Sequence, residues 1–129
     1  MKLELTEVNV RSLALCVGAL AKLVHKDACD HGLWEDFRKE MEAYTGLPGS
    51  IRQRAVRFYA ARLVAGEVTE LREASEDKEH YAEEAADVII SMLSTCEELG
   101  INIGEALCHK ILKNHERPWK HEGEKDGQK

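Results

Sequence analysis

Two acidic pairs, each with a three-residue spacing, constrain this chain more than any other feature. They read Glu67-Val68-Thr69-Glu70 and Glu84-Ala85-Ala86-Asp87, with the charged stretch Ser75-Glu76-Asp77-Lys78-Glu79 between them. Residues i and i+3 of an α-helix share a face about one turn apart, so two helical segments can bring all four carboxylates to one point. At ~100° per residue, Ala60, Leu63, Val64, Leu71 and Ala74 fall within about 60° of Glu67, which places that acid inside an apolar stripe and Glu70 at its edge. A carboxylate turned toward a core is costly unless a cation or hydrogen-bond donors meet it. The second segment has a broad apolar arc (Tyr81, Ala85, Val88, Ile89, Ile90, Met92, Leu93), and Glu84 and Asp87 share the other side with Ser91, Ser94, Thr95 and Glu98. That side reads equally well as solvent-facing. Clustered carboxylate oxygens suit a hard cation such as Mg²⁺, which usually shares itself with phosphate oxygens, and this points to nucleotide or phosphoryl chemistry.

A chain of 129 residues fits a single domain, small enough that its helices can finish burying themselves in an oligomer. The net charge of −6 argues against non-specific nucleic-acid binding, which needs a basic surface. Cys16, Cys29, Cys96 and Cys108 show no CxxC spacing and read as buried thiols in a reducing compartment. Cys29-Asp30-His31 lacks the second ligand pair that a structural zinc site requires. The first residues do not resemble a signal peptide, and Leu13 to Val24 is short and interrupted by Lys22, so no membrane span and a cytoplasmic location are expected.

Helical periodicity predicts a first helix from about Val8 to Cys29, a shorter one from Trp34 to Tyr44, and a third from about Ile51 to Ala74 with Ser50 as its N-cap after the loop Thr45-Gly46-Leu47-Pro48-Gly49. The second acidic helix starts near Asp77 and stops at Leu99-Gly100. Asn102 and Glu105 form a capping-box pattern for a last helix, Ile103 to about Glu116, which Pro118 blocks. No strand-period alternation appears. Residues 1–118 therefore read as one all-α domain, a bundle of four to five helices completed by oligomerisation, and residues 119–129 as a polar, disordered tail.

Lys110, Asn114 and Arg117 share one face of the last helix, with Lys113 one step round, and that face continues the line of Ile103 and Leu107. Basic residues are enriched at helix C-termini by the dipole alone, yet a metal site that holds a polyphosphate also needs cations for the remaining oxygens. Of the scattered arginines on the Ile51 helix, Arg62 is the one expected to approach the acids. Trp34 and Phe37 are at helical spacing and fit a core, or, with His25, a flat wall for a base.

Taken together these residues resemble the all-α nucleoside triphosphate pyrophosphatases of the MazG and dCTP/dUTP pyrophosphatase superfamily. The ExxE…ExxD pattern is carried by Glu67, Glu70, Glu84 and Asp87, and the Leu99-Gly100-Ile101-Asn102-Ile103 connection and the Lys110 to Pro118 ending are also similar. The resemblance covers residues 60–118; upstream, Arg38 to about Arg54 stands as extra sequence. It implies Mg²⁺ held by Glu67, Glu70, Glu84 and Asp87, and hydrolysis of a (deoxy)nucleoside triphosphate to the monophosphate and pyrophosphate, as nucleotide-pool house-cleaning. It further implies Glu70 as the base, Lys110, Lys113 and Arg117 on phosphate oxygens, His25, Trp34 and Phe37 near the base, Asn114 on sugar or base, and a homodimer or homotetramer.

A phosphoribosyl-ATP pyrophosphohydrolase uses similar acidic helices on a larger substrate. A ferritin-like di-iron centre wants Glu-x-x-His on two helices, which is absent here. The reading from a different class is a non-catalytic helical module whose acids form a wet face and whose function is oligomerisation.

Overall fold

The structure is a computed structural model that describes residues 3–118, so the expected tail lies outside the described residues. Five α-helices account for most of these residues, and no strand occurs among them: α1 Glu7–Asp30, α2 Glu35–Met41, α3 Gly49–Glu73, α4 Lys78–Glu98 and α5 Ile103–Glu116. A 3-10 turn, Glu42–Tyr44, continues α2.

The capping chemistry explains most of the boundaries. Asp77 precedes α4 in extended conformation, and its carboxylate accepts from the Glu79 N–H at 3.1 Å. Asn102 does the same for α5, accepting from the Glu105 N–H at 3.1 Å. Gly100, at φ 72°, closes α4 with the Ile101 N–H reaching back to the Cys96 carbonyl at 2.8 Å, a left-handed stop that suits glycine. Ser50 is not the N-cap of α3. The helix begins one residue before it, with extended Pro48 at the cap and no side-chain hydrogen bond there. Proline's fixed φ sets the entry, and Ser50 falls within the first turn.

The described residues divide into two compact units, and α1 contributes its first part to one and its second part to the other. In unit 1, from Met1–Ala19 and Asn102–Lys129, Val10, Ala14 and Cys108 are buried together with Leu112 against them. The inward line of α5 is thus Gly104, Cys108 and Leu112 rather than the expected Ile103–Leu107–Lys110 line, and Leu107 and Lys110 are exposed. Gly104 fixes this orientation: a Cβ there would overlap the Ala14 carbonyl oxygen and stand 3.2 Å from the Gly18 nitrogen, so no other residue allows α5 so close to α1.

In unit 2, Leu20–Ile101, the core gathers Ala28 of α1, Trp34, Phe37 and Met41 of the α2 segment and Ala60 of α3, with Val56, Tyr59 and Leu99 packed on them. α3 and α4 run from one into the other through the turn at Ala74–Asp77 and pack along their length. Here α4 departs in part from expectation. Leu93 and Cys96 of its apolar arc are buried and Ala85 and Val88 half-buried, but Ser94 and Thr95 are buried too, with Ser91 and Glu84 half-buried, whereas Ile89, Ile90 and Met92 are exposed. α1 is also apolar outside, with Leu13, Leu15, Leu20 and Leu23 exposed. At 24 residues it is long and apolar enough, by length and composition only, to cross a membrane, a test that the core helix of a soluble protein also passes. Its second part makes polar contacts with protein, Lys22 to Glu97 at 3.0 Å and His25 to Glu98 at 2.8 Å.

Gly104→Ala is expected to destabilise the protein by about 1–3 kcal/mol, because α5 must back away from α1. Alanine's ~1 kcal/mol advantage in helix propensity would otherwise stabilise it. Chemical denaturation checks the sign, and a more stable variant would refute the close approach.

Candidate metal centre

α3 and α4 bring three of the four sequence-predicted acids together. Glu67, Glu84 and Asp87 each offer one carboxylate oxygen within 4.8 Å of the others. Glu67 lies on the packed side of α3 with Ala60, Val64, Leu71 and Ala74, as its angular position predicts. It is half-buried, and its pKa is pushed above the ordinary carboxylate value first by desolvation, then by the neighbouring Glu70 and by the charges of Asp87 and Glu84. Glu84 is the better buried of the α4 pair. One of its oxygens lies 3.3 Å from His80 Nε2, one turn earlier on the helix. The other, Oε2, is buried and accepts no hydrogen bond.

A buried carboxylate oxygen with no hydrogen-bond donor, beside two further carboxylates, is a place where a cation could bind, since buried acceptors are almost always paired. An all-oxygen donor set of this kind fits Mg²⁺, which takes one or two carboxylates and keeps open positions for water and phosphate. Glu70 is exposed and stands beside Glu67, outside the converging three.

The remaining sequence candidates are placed as follows. Lys110, Lys113 and Arg117 are exposed on α5 and at its end, and Asn114 is half-buried with its side-chain Oδ1 buried and unpartnered. Arg62 is engaged elsewhere, 3.3 Å from Glu40 and with its guanidinium 5.2 Å from the centroid of the Tyr59 ring. Trp34 and Phe37 pack edge-on at 5.2 Å in the core, and the Trp34 indole N–H donates to Ser94 Oγ at 3.0 Å. Their faces are spent on packing. His25 stands 6.2 Å from Trp34 and is held by Glu98.

Glu98 was not singled out from sequence, and it anchors a second polar group. Arg38 donates to both of its oxygens, at 2.9 Å from Nε and 2.6 Å from Nη2. Burial pushes the Glu98 pKa up, but the hydrogen bonds from Arg38 and His25 outweigh it and hold the carboxyl below its ordinary value. The signal available beforehand was the His25–Cys29 spacing of four, which puts both side chains on one face of α1.

No protein-family profile, curated protein or solved structure matches this chain.

Because Glu67 has a raised folded pKa, its contribution to stability is present below the ordinary value near 4.5 and lost as pH rises through the raised one. Glu67→Gln is therefore expected to raise the melting temperature of the metal-free protein at neutral pH. The gain should shrink as pH falls toward 4.5. Thermal unfolding across pH reads this directly, and a lower melting temperature for Glu67→Gln at neutral pH would sink it.

Proposed function

We propose that this chain is a Mg²⁺-dependent nucleoside triphosphate pyrophosphohydrolase, MazG-like, that converts a (deoxy)nucleoside triphosphate to its monophosphate and pyrophosphate. The observation that carries the reading is the convergence of Glu67, Glu84 and Asp87, with one oxygen of Glu84 buried and without a hydrogen-bond partner. These three residues would hold the cation. When bound, Mg²⁺ supplies charge neutralisation on the phosphates and acidifies a coordinated water. Glu70, exposed at the edge of the three, accepts the proton of the attacking water. The cations of α5, Lys110, Lys113 and Arg117, are assigned to phosphate oxygens and Asn114 to sugar or base on the strength of the resemblance. The same resemblance gives the base to His25, Trp34 and Phe37, of which Trp34 and Phe37 are buried in the core.

Oligomerisation belongs to this reading. Ile89, Ile90 and Met92 form an outward apolar side of α4 that a second copy of the chain would cover, in a dimer or tetramer acting in the cytoplasm.

Incubation with Mg²⁺ and each common and deoxy nucleoside triphosphate, with the products resolved by chromatography, is expected to give monophosphate and pyrophosphate from a subset. Glu67→Ala, Glu84→Ala and Asp87→Ala should each abolish Mg²⁺-dependent stabilisation as well as turnover, and Glu70→Gln should cost about 10²–10⁴ in rate with metal binding retained. Diphosphate and orthophosphate as products, or no turnover and no Mg²⁺-dependent rise in melting temperature, would defeat the proposal; the second result favours the oligomerisation module. In light scattering after size exclusion, Ile89→Glu is expected to shift the protein to a smaller species than the unsubstituted chain.

A further inference from the structure

His25, Cys29 and Glu98 form a donor set that the acidic centre does not use. His25 and Cys29 are four residues apart on α1, and Glu98 is the last residue of α4. His25 Nε2 lies 2.8 Å from Glu98 Oε1 and 3.5 Å from Cys29 Sγ, and one ligand atom from each residue lies within 4.8 Å of the other two. His25 and Glu98 are largely buried, with 19% and 11% of their side chains exposed, and Cys29 is half-buried. The site is sheltered yet reachable.

The geometry separates two uses of such a set. A nucleophile, base and orienting acid need the two ring nitrogens for different partners. Here the same nitrogen, Nε2, meets both the carboxylate and the nearer approach of the sulfur, whereas Nδ1 is 3.9 Å from Sγ. Three donors that crowd one region describe a coordination site. An imidazole, a thiolate and a carboxylate from an i,i+4 helical pair and a second helix suit a borderline-soft ion, in contrast to the all-oxygen set of Glu67, Glu84 and Asp87.

A cation already stands at this place. Arg38 Nη2 donates to Glu98 Oε1 and lies 3.4 Å from Cys29 Sγ, the same two atoms a metal would take. Its side chain is about half exposed, which leaves it room to swing out. We propose that His25, Cys29 and Glu98 bind a thiophilic divalent cation of the Zn²⁺ class, with the Arg38 guanidinium as the stand-in that the ion displaces and a fourth position open to water or a small ligand. On binding, the thiol gives its proton to solvent and the sulfur becomes a thiolate ligand. This inference does not rest on the pyrophosphohydrolase reading and shares only His25 with it.

The test uses the full chain and Co²⁺ as a spectroscopic probe, followed by Zn²⁺. One equivalent of Co²⁺ is expected to produce thiolate-to-metal charge-transfer absorption that Zn²⁺ displaces and that excess Mg²⁺ leaves unchanged. Cys29→Ser should abolish the absorption, His25→Ala and Glu98→Gln should weaken binding by about tenfold or more, Arg38→Gln should tighten it, and Glu67→Ala should leave it intact. A second measurement needs no variant: Zn²⁺ should slow alkylation of Cys29 while that of the exposed Cys16 proceeds as before. Charge-transfer absorption that survives Cys29→Ser or is lost to Mg²⁺, its absence altogether, or equal alkylation of Cys29 with and without Zn²⁺ would overturn the site.

Discussion

The packing of α3 against α4 is the constraint on which the candidate site depends, because it brings Glu67, Glu84 and Asp87 to one place. The buried side of α3 carries Ala60 and Ala74, both fully or almost fully buried, and that of α4 carries Leu93, Ser94, Thr95 and Cys96. Other apolar side chains of α4 stand outside, where Ile89, Ile90 and Met92 are exposed.

α4 is where the sequence was least legible. Its hydrophobic arc splits, with Leu93 and Cys96 buried and Ile89, Ile90 and Met92 exposed, so periodicity alone did not tell which part of the arc faces in. On α3 periodicity worked, because Glu67 sits among residues whose burial is conventional. Helix positions and most ends were readable from caps such as Asp77, Gly100 and Asn102, whose side-chain or backbone requirements are local. Ser50 was misjudged as the cap because the rigid φ of Pro48 opens the helix without any side-chain hydrogen bond.

The same contrast holds for the candidate sites. The acidic centre was visible because both its pairs announce themselves by spacing. Glu98 was not, since its meaning comes from Arg38 and His25, which lie 60 and 73 residues away in sequence. Likewise the inward line of α5 follows from one glycine, Gly104, whose lack of a side chain matters only once Ala14 is known to face it. Long-range partners decide such cases, and a single chain read by periodicity does not contain them.

The turn at Ala74–Asp77 has a consequence for how the protein assembles. Helices adjacent in sequence meet with little loss of chain entropy, so the α3–α4 hairpin is a local event and can form early in folding. The acids converge with it. The work of gathering like charges is therefore done by the folding chain, and its cost is set against the packing of the hairpin itself.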